Sequence, residues 1–446
     1  FGSSLWGAPL FQPVAPRGTP RISCQERPVA AFCTMKEFAA LGGVLVVGSA
    51  ILAALGFRGR EQVVGIDLGT TFSVVAIKSR DKVTVIPDHL SGKVLVPSVM
   101  SLLPNGTVLV GDRAVSMRDR SPLQTVFNAK RFIGRNMSEV VEETRTHPFR
   151  VVGNASEGRD ASTSGAGFSL PGDGSAERWL SPIDVGAHVV RHLKRSVAEY
   201  LGYPISRAVI CVPAKFGYRQ IKATQEAFEQ AGFKVQRVLE EPTAAAVAYN
   251  LHKDAGTRHV LVYDIGGGTL DTSLLYMSGK SVSVLGVAGD DHLGGSDFDV
   301  RMRDLLSSKL AAAKRAALEP PPNAGCDSTG LGILAEQAKI ELSSRNEVEV
   351  RCRAEDDTVL QMPVTREEFE RASEDLFRRS MKPVETVLAD QMMSPDNVDD
   401  IVLVGGASRT PKLRALLQEF MGPSKKLHTE IDPDITVAYG AANILD

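Results

Sequence analysis

A strand-turn-strand pattern occurs twice in the chain, about 200 residues apart. In Val64–Thr71 (VGIDLGTT) and in Val262–Thr269 (VYDIGGGT), an apolar run ends in Asp, a hydrophobic residue, Gly and then Thr. In both copies a second apolar run resumes at once, at Ser73–Ile77 and at Thr272–Leu275. Such a duplicated hairpin is an internal repeat, and it indicates two similar lobes that face one cleft.

The turns of the two hairpins have the composition of a phosphate-binding loop. Consecutive backbone N–H groups in a Gly/Thr turn form an anion-binding nest, and glycine lets the backbone approach an oxyanion closely. Asp67 and Asp264, at the strand ends, offer hard oxygen ligands for the Mg²⁺ that accompanies a nucleotide, usually through water. One such turn alone is more often an ordinary β-turn, but two related copies favour a nucleotide site.

A third glycine-rich segment follows a buried strand near the C-terminus. Ile401–Arg409 (IVLVGGASR) runs into Gly-Gly, and a helix is predicted to begin near Pro411. Such a turn can accept a flat adenosine moiety against bare backbone. An ordinary glycine-rich connection between a strand and a helix is an equally good interpretation of this segment alone.

The remainder of the body alternates short β-branched runs with amphipathic stretches, as in an α/β protein. Strands are predicted at 63–69, 82–87, 207–213, 259–266, 281–289 and 400–406. Helices are predicted at 184–200, 219–231, 366–389 and 411–420. Residues 153–176, rich in Gly and Ser, are predicted to be a flexible surface insertion, and Glu319–Gly332 a second loop.

Composition argues against a nucleic-acid partner. The chain has 51 Lys and Arg against 53 Asp and Glu, a formal net charge of −2, and no basic excess of the kind that nucleic-acid binding needs. Five scattered cysteines are too few for a disulfide framework. We expect Cys211, Cys326 and Cys352 to be buried or idle thiols. The eight histidines show no metal-ligand spacing.

The N-terminal region has the features of a targeting sequence. Residues 1–34 are predicted to be a disordered leader, and residues 35–60 a hydrophobic signal peptide or signal anchor, because Phe38–Phe57 contains no charge. A cleaved secretory signal, a retained anchor and a buried core helix are the three interpretations. The first two predict a location in the endoplasmic reticulum lumen or microsomes, or secretion, with membrane contact only through this segment.

Seven motifs together resemble the nucleotide-binding domain of DnaK-type heat-shock chaperones, within the actin–hexokinase superfold, from about Val63 to Asp446. They are GIDLGTT (65–71), NAKRFIG (128–134), VICVPAKF (209–216), EEPTAAAVAY (240–249), YDIGGGTLD (263–271), GDDHLGGSDFD (289–299) and LVGGASRTPKL (403–413). The resemblance implies an α/β, actin-like ATPase fold with two lobes, each a mixed sheet with flanking helices, around a nucleotide cleft. Lobe I would span 61–250, and lobe II would span 251–446 with a C-terminal return to lobe I.

The resemblance also implies roles for individual residues at the phosphate end of the cleft. Asp67 and Asp264 would hold the metal. The phosphate loops would be formed by Gly69, Thr70 and Thr71 and by Gly266, Gly267, Gly268 and Thr269. The catalytic residues would be Lys130, Glu241, Thr269 and Asp271, with Lys130 orienting the attacking water and Asp271 polarising it. Without the resemblance, Lys130-Arg131 is more simply a solvated basic pair, and Glu241 belongs to a helix start.

The implied adenosine side is less well preserved. Its residues would be Glu336, Lys339, Ser343, Gly405, Gly406, Arg409 and Asp434. Ile340 stands where the family has an arginine that stacks on adenine, Ala407 where it has a serine, and Phe72 where it has a tyrosine. Loss of the arginine removes a cation–π contact of about 0.5–2 kcal/mol, so we expect weaker nucleotide affinity with hydrolysis retained. Lys215 and Tyr218 also depart from the family pattern.

These features predict slow, Mg²⁺-dependent hydrolysis of ATP to ADP, with K⁺ as a second candidate cation. The family's peptide-binding domain is not recognised in the sequence, so peptide-independent turnover is expected, with J-domain co-chaperones and nucleotide exchange factors as candidate partners. A nucleotide-dependent binding module that does not hydrolyse, acting as a co-chaperone decoy, is the main alternative. A small-molecule kinase of the same superfold is a weaker one.

Overall fold

Two sheets with the same strand pattern organise the computed structural model of the protein. The structure describes residues 46–48, 62–80, 82–154, 163–172, 177–253, 256–279, 281–316 and 324–444. The chain divides into two units, Phe1–Arg60 and Glu61–Asp446, and the sheets belong to the second. The predicted leader lies outside the described residues, as does the predicted targeting segment except for a helical turn at 46–48. No helix within the described residues combines the length and apolarity that spanning a membrane requires.

Every apolar run that the sequence marks as a strand forms one, and the described residues of the second unit contain further, mostly short, strands that it did not mark. In chain order they are β1 (Val63–Leu68), β2 (Phe72–Ser79), β3 (Lys82–Val85), β4 (Val96–Pro97), β5 (Met100–Leu102), β6 (Val108–Val110), β7 (Thr125–Val126), β8 (Arg150–Gly153), β9 (Ala166–Pro171), β10 (Glu177–Leu180), β11 (Arg207–Val212), β12 (Lys234–Glu240), β13 (Thr257–Ile265), β14 (Leu270–Ser278), β15 (Ser281–Asp290), β16 (Lys314–Ala316), β17 (Glu347–Arg353), β18 (Val359–Thr365), β19 (Asp400–Val404) and β20 (Lys426–His428).

Some of the helices begin at a side-chain cap. Ser181 and Thr365, for example, accept hydrogen bonds from the backbone N–H three residues on. In chain order the helices are α1 (Asp112–Val115), α2 (Val141–Thr144), α3 (Pro182–Leu201), α4 (Tyr218–Gln230), α5 (Glu241–Ala248), α6 (Gly295–Lys309), α7 (Ser328–Leu342), α8 (Arg366–Ala372), α9 (Glu374–Asp390), α10 (Pro411–Met421) and α11 (Thr436–Asn443).

The two large sheets are topologically equivalent. The first has the order β3-β2-β1-β11-β12, and the second has the order β15-β14-β13-β19-β20. In each, three antiparallel strands are followed by two that pair in parallel. The duplicated hairpins are β1–β2 and β13–β14, at corresponding places. The prediction of a two-lobed α/β fold with mixed sheets and flanking helices is therefore confirmed.

Helices α5 and α11 join the two lobes. Their small apolar residues share one buried cluster with strands of both sheets, among them Val209 of β11 and Val262 of β13. Glycine permits this close approach, because a β-carbon at Gly440 would collide with the carbonyl of Ala244. Through α11 the C-terminal part of the described chain packs on β1 and β2 of the first sheet. Both hairpins are thereby fixed against a common core.

Two predictions about loops are wrong in part. Ala166–Pro171, inside the predicted insertion 153–176, forms β9, whose side chains from Ala166 to Leu170 are buried. The Gly and Ser content concealed this strand, which pairs with β8 and β10. The predicted loop at 319–332 also ends early, because the Asp327 side chain accepts a hydrogen bond from the N–H of Gly330 and starts α7 at Ser328.

The expectation that the three body cysteines are thiols is wrong for two of them. Cys326 and Cys352 form a disulfide, with Cα atoms 5.0 Å apart, and Cys211 is a buried free thiol. The cysteines are 26 residues apart in sequence. They meet because the segment before α7 runs along β17, where the Cys326 N–H donates to the Arg353 carbonyl at 2.9 Å.

Candidate active site

The two hairpin turns face each other across a cavity of about 420 Å³, within the usual range for a small-molecule site. The approach is tight, because a β-carbon at Gly267 would collide with the Thr71 side chain. Seventeen of the sequence-predicted site residues line this cavity. They are Asp67, Gly69, Thr70, Thr71, Lys130, Asp264, Gly266, Gly267, Gly268, Thr269, Glu336, Lys339, Ser343, Gly405, Gly406, Arg409 and Asp434.

Both turns direct backbone carbonyls into the protein. In the second turn, the carbonyls of Gly266 and Gly267 accept hydrogen bonds from the first residues of α6, at 2.9 and 2.7 Å. In the first turn, the Thr71 carbonyl accepts from the N–H of Ser98 at 2.8 Å. The N–H groups of Gly267, Gly268 and Thr269 have no acceptor within the described part of the chain. Unpaired N–H groups in a turn of this kind are the donors that a phosphate requires.

Lys130 and Glu241 form an ion pair at the floor of the cavity. Lys130 Nζ donates to Glu241 Oε1 at 2.6 Å, and the two side chains are 11% and 13% exposed. Burial alone would lower the pKa of Lys130, but Glu241, Asp67 and Asp264 outweigh it and raise that pKa above its usual value. Lys130 is therefore a permanent cation. Sequence reasoning alone, without a family resemblance, would have placed it in solvent.

Asp67 and Asp264 end the first strands of the two hairpins beside this ion pair. Burial raises the pKa of Asp67 to about 7, with Lys130 opposing and Glu241 adding to the shift. Burial, reinforced by Glu241, Asp271 and Asp67, also raises the pKa of Asp264 well above its usual value. Among the described residues Asp67 Oδ1 is buried without a hydrogen-bond partner. Burial disfavours the charged form of both carboxylates, and one of their oxygens has no partner; such a pair of carboxylates fits Mg²⁺.

Glu241 and Asp271 are not among the residues that line the main cavity. Glu241 contacts Lys130, which does line the cavity. Asp271 lies at an adjoining depression of about 240 Å³, where Lys215 Nζ is 3.0 Å from Asp271 Oδ1. Burial raises the pKa of Asp271, and Lys215 opposes that shift. Lys215, which departs from the family pattern, is thus the direct partner of a residue with a predicted catalytic role.

The opposite end of the cavity is formed by α7 and the turn after β19. Gly405 has φ +77°, and a β-carbon there would collide with the carbonyl of Ile265, so glycine is required. Asp434 lies beside Gly406 and pairs with Arg409 at 3.1 Å. Ile340 is 60% exposed and lines the cavity. It is therefore an exposed apolar side chain on the wall of the cavity.

Sequence reasoning missed two residues that shape this end and the entrance. Asp299 lines the cavity and pairs with Lys339 at 2.7 Å. Arg131 crosses between the lobes, donating from Nη2 to the Gly268 carbonyl at 2.7 Å and from Nη1 to the Asp291 carbonyl at 2.6 Å. Both lie inside motifs that the sequence had marked, NAKRFIG and GDDHLGGSDFD, but only the fold reveals their partners.

Comparison with known proteins agrees with this geometry. The chain is 39% identical over 387 residues to heat shock 70 kDa protein BIP3 of Oryza sativa subsp. japonica, covering 85% of this chain and 56% of that protein. It is 36% identical over 386 residues to chaperone protein dnaK of Cyanidioschyzon merolae, covering 85% of this chain and 61% of that protein. The chain thus spans little more than half the length of these relatives. The family model for Hsp70 protein matches residues 63–445, and the chain therefore belongs to the Hsp70 family.

Proposed function

We propose that the chain binds ATP and ADP in the cleft between its lobes and hydrolyses ATP slowly, with Mg²⁺ and without a peptide substrate. The observation that carries the proposal is the Lys130–Glu241 ion pair at 2.6 Å, set between Asp67 and Asp264 beneath two phosphate-binding turns. A buried cation beside carboxylates, under unpaired N–H donors, is suited to phosphoryl transfer to water. Every proposed group lies between Asp67 and Asp434, so the reaction needs no residue outside the matched region.

The turns bind and orient the phosphates. The N–H groups of Gly267, Gly268 and Thr269 donate to phosphate oxygens from one side, and those of Thr70 and Thr71 donate from the other. Because both turns are anchored through their carbonyls, the donors are held in place before the nucleotide arrives. Such preorganisation is the main source of stabilisation for charge that develops in a transition state.

Asp67 and Asp264 would hold Mg²⁺, largely through water, on the side of the phosphates that faces β1 and β13. The bound ion would supply charge neutralisation at the phosphate oxygens. Lys130, held by Glu241, orients the water that attacks the γ-phosphorus and donates to the transferring group. The bond from that phosphorus to the bridging oxygen breaks, and the proton of the water passes to phosphate or to an acceptor on the Asp271 side. Thr269 supplies a neutral hydroxyl donor.

The nucleoside would lie between α7 and the turn after β19. Glu336, Lys339 and Ser343 would contact adenine and ribose on one side, and Gly405, Gly406, Arg409 and Asp434 would contact them on the other. Ile340 offers only apolar contact to the base. We therefore propose an affinity for nucleotide lower than that of family members with an arginine there, by about tenfold.

The test is Mg²⁺-dependent ATP hydrolysis by the full chain, beside Lys130→Ala and the matched control Lys222→Ala, which alters an exposed lysine of α4. Removing Lys130 should lower kcat by about 10²–10³-fold, as for other charge-stabilising donors, with nucleotide binding retained and Lys222→Ala unchanged. Nucleotide binding without turnover above that of Lys130→Ala would identify a binding module that acts as a co-chaperone decoy. Transfer of phosphate to an added small alcohol rather than to water would identify a kinase.

Peptide independence and cation requirement are tested in the same assay. Addition of an unfolded peptide should leave kcat unchanged. Replacing K⁺ by Na⁺ tests whether K⁺ is a second cofactor. J-domain co-chaperones and nucleotide exchange factors are proposed as partners on the ground of family membership, and a J-domain should raise single-turnover hydrolysis.

We further propose a location in the secretory pathway, in the endoplasmic reticulum lumen or microsomes, or outside the cell. The uncharged run Phe38–Phe57 supports a signal peptide or anchor. The Cys326–Cys352 disulfide supports it independently, because disulfides persist in oxidising compartments. Protection of the protein from added protease in intact microsomes is the expected result. Recovery in the cytosolic fraction with reduced cysteines would contradict the proposal.

A further inference from the structure

Three potential metal ligands lie together in lobe I, apart from the nucleotide cleft. Asp88 and His89 follow β3, and His192 lies on α3, 104 residues away from Asp88. Their side chains are 5%, 6% and 11% exposed, and their ligand atoms all lie within 4.8 Å of one another. No local spacing in the sequence reveals this cluster, because it forms only when α3 packs on the first sheet.

Two of the three distances between ligand atoms are close to those of a metal site. Asp88 Oδ1 lies 3.4 Å from His89 Nδ1 and 2.5 Å from His192 Nε2. Ligands about 2.0–2.1 Å from a tetrahedral zinc ion are separated by roughly 3.3 Å. The first pair already has this separation. The second pair needs to widen by less than about 1 Å.

Neighbouring hydroxyl and amide groups hold the ligands in place. Asp88 Oδ2 accepts from the N–H and the hydroxyl of Ser91, both at 2.9 Å, which leaves Oδ1 directed at the histidines. Ser196 Oγ lies 2.9 Å from His89 Nδ1 and 3.2 Å from Asp88 Oδ1. The bonds from Ser91 support the carboxylate in the way that is typical of metal-binding residues, whereas the Ser196 hydroxyl bonds the two atoms that would bind the ion and loses those bonds when it enters.

We propose that Asp88, His89 and His192 bind one divalent transition-metal ion, with zinc as the best fit. Two imidazole nitrogens and one carboxylate oxygen suit zinc and disfavour Mg²⁺ and Ca²⁺, which take oxygen ligands. Binding places the ion on the lone pairs of His89 Nδ1 and His192 Nε2, so the proton on each of these nitrogens moves to the other nitrogen of its ring or is released to solvent. No redox step is involved.

The ion would connect the turn after β3 to α3. The N-terminal half of the same helix lies beneath the first phosphate loop, where Val185, Gly186 and Val189 share a small cavity with Gly69 and Lys130. A metal at His192 would therefore stabilise the element that supports that loop. The site is structural in this proposal, and its readouts are metal content and stability rather than turnover.

The experiment is a titration of the full chain with Co²⁺ and then Zn²⁺, in saturating Mg·ADP so that the nucleotide carboxylates are occupied. We expect one equivalent of Co²⁺, with a visible spectrum of low coordination number that Zn²⁺ abolishes, and a rise in melting temperature. His192→Gln, which keeps a hydrogen-bond donor to Asp88, should weaken binding at least 100-fold. Ser91→Ala should weaken it about 10–100-fold. His188→Ala, one helical turn away on α3, is the matched control and should bind as the wild type does.

Two results would overturn the proposal. If the wild-type protein is folded and binds nucleotide but takes up no stoichiometric Co²⁺ or Zn²⁺ at micromolar concentration, the cluster is a hydrogen-bond network only. If His192→Gln, shown to be folded by its nucleotide binding, takes up the ion as tightly as His188→Ala, the metal lies elsewhere. Circular dichroism of each variant separates loss of the site from loss of the fold.

Discussion

Arg131 of lobe I donates a hydrogen bond to the carbonyl of Gly268 in the second phosphate loop, with Nη2 and the oxygen 2.7 Å apart. The same guanidinium donates to the Asp291 carbonyl at 2.6 Å. These bonds link the two lobes at the mouth of the cleft, over residues more than a hundred positions apart in sequence. Arg131 therefore bridges lobe I to a turn that we propose holds phosphate, and we expect this bridge to resist opening of the cleft.

Replacing Arg131 should accelerate nucleotide release. Hydrogen bonds from a charged donor contribute about 1.5–3 kcal/mol each when buried, and less when they are accessible, as here. We expect Arg131→Ala to raise the dissociation rate of ADP about tenfold, with a smaller change in the association rate. Stopped-flow release of a fluorescent ADP measures this, with the exposed Arg120→Ala as control. An unchanged rate would mean that the bridge does not limit opening.

A substitution at Ile340 should strengthen nucleotide binding. Ile340 is exposed at the end of the cavity that we propose holds adenosine, so Ile340→Arg would place a guanidinium over the base. A cation–π contact of about 0.5–2 kcal/mol would tighten ADP binding roughly two- to thirtyfold, as measured by isothermal titration calorimetry. Ile333→Arg, on the same helix but outside the cavity, should have no such effect. Equal affinities for the two variants would place the base elsewhere.

Much of the fold could be predicted because its signals are local. The hairpins whose first strands carry Asp67 and Asp264, and the strand before Gly405, lie in short runs of residues. The alternation and turn composition of these runs are enough to predict them. Partnerships across the chain could not be predicted in this way. Lys130 and Glu241 are 111 residues apart, and either one alone has the properties of a surface residue. Only the packing of α5 against β11 and β13 brings their side chains into the same buried site.

The disulfide is another partnership between distant residues that could not be predicted from local sequence. Its effect on stability can be tested. The Cys326–Cys352 bond closes a loop of 26 residues, and disulfides of native proteins typically stabilise by about 2–4 kcal/mol. Reduction with dithiothreitol should lower the urea midpoint of unfolding, and the Cys326→Ser/Cys352→Ser double variant should resemble the reduced protein. The double variant should also be insensitive to the reductant. A wild-type midpoint that is independent of dithiothreitol would contradict a stabilising role.

Asp400 should make the free energy of unfolding decrease at acidic pH. Its carboxylate accepts from His428 Nε2 at 2.8 Å and pairs with Arg258 at 2.7 Å. The hydrogen bond from His428, and then Arg258, outweigh burial and hold the pKa of Asp400 below its usual value.

A carboxyl whose pKa is lower in the folded state stabilises the protein above the pKa of the unfolded chain, about 3.9. That contribution is lost as pH falls through the folded value. Urea unfolding between pH 6 and pH 2 should therefore show a steeper acid loss for the wild type than for Asp400→Asn, which cannot titrate there. Asp396→Asn, which removes an exposed carboxylate nearby, should retain the wild-type slope. Because the free energy of unfolding changes by 1.36 kcal/mol for each unit of pKa difference, the change with pH of the gap between the two curves measures how far the fold displaces this single titration.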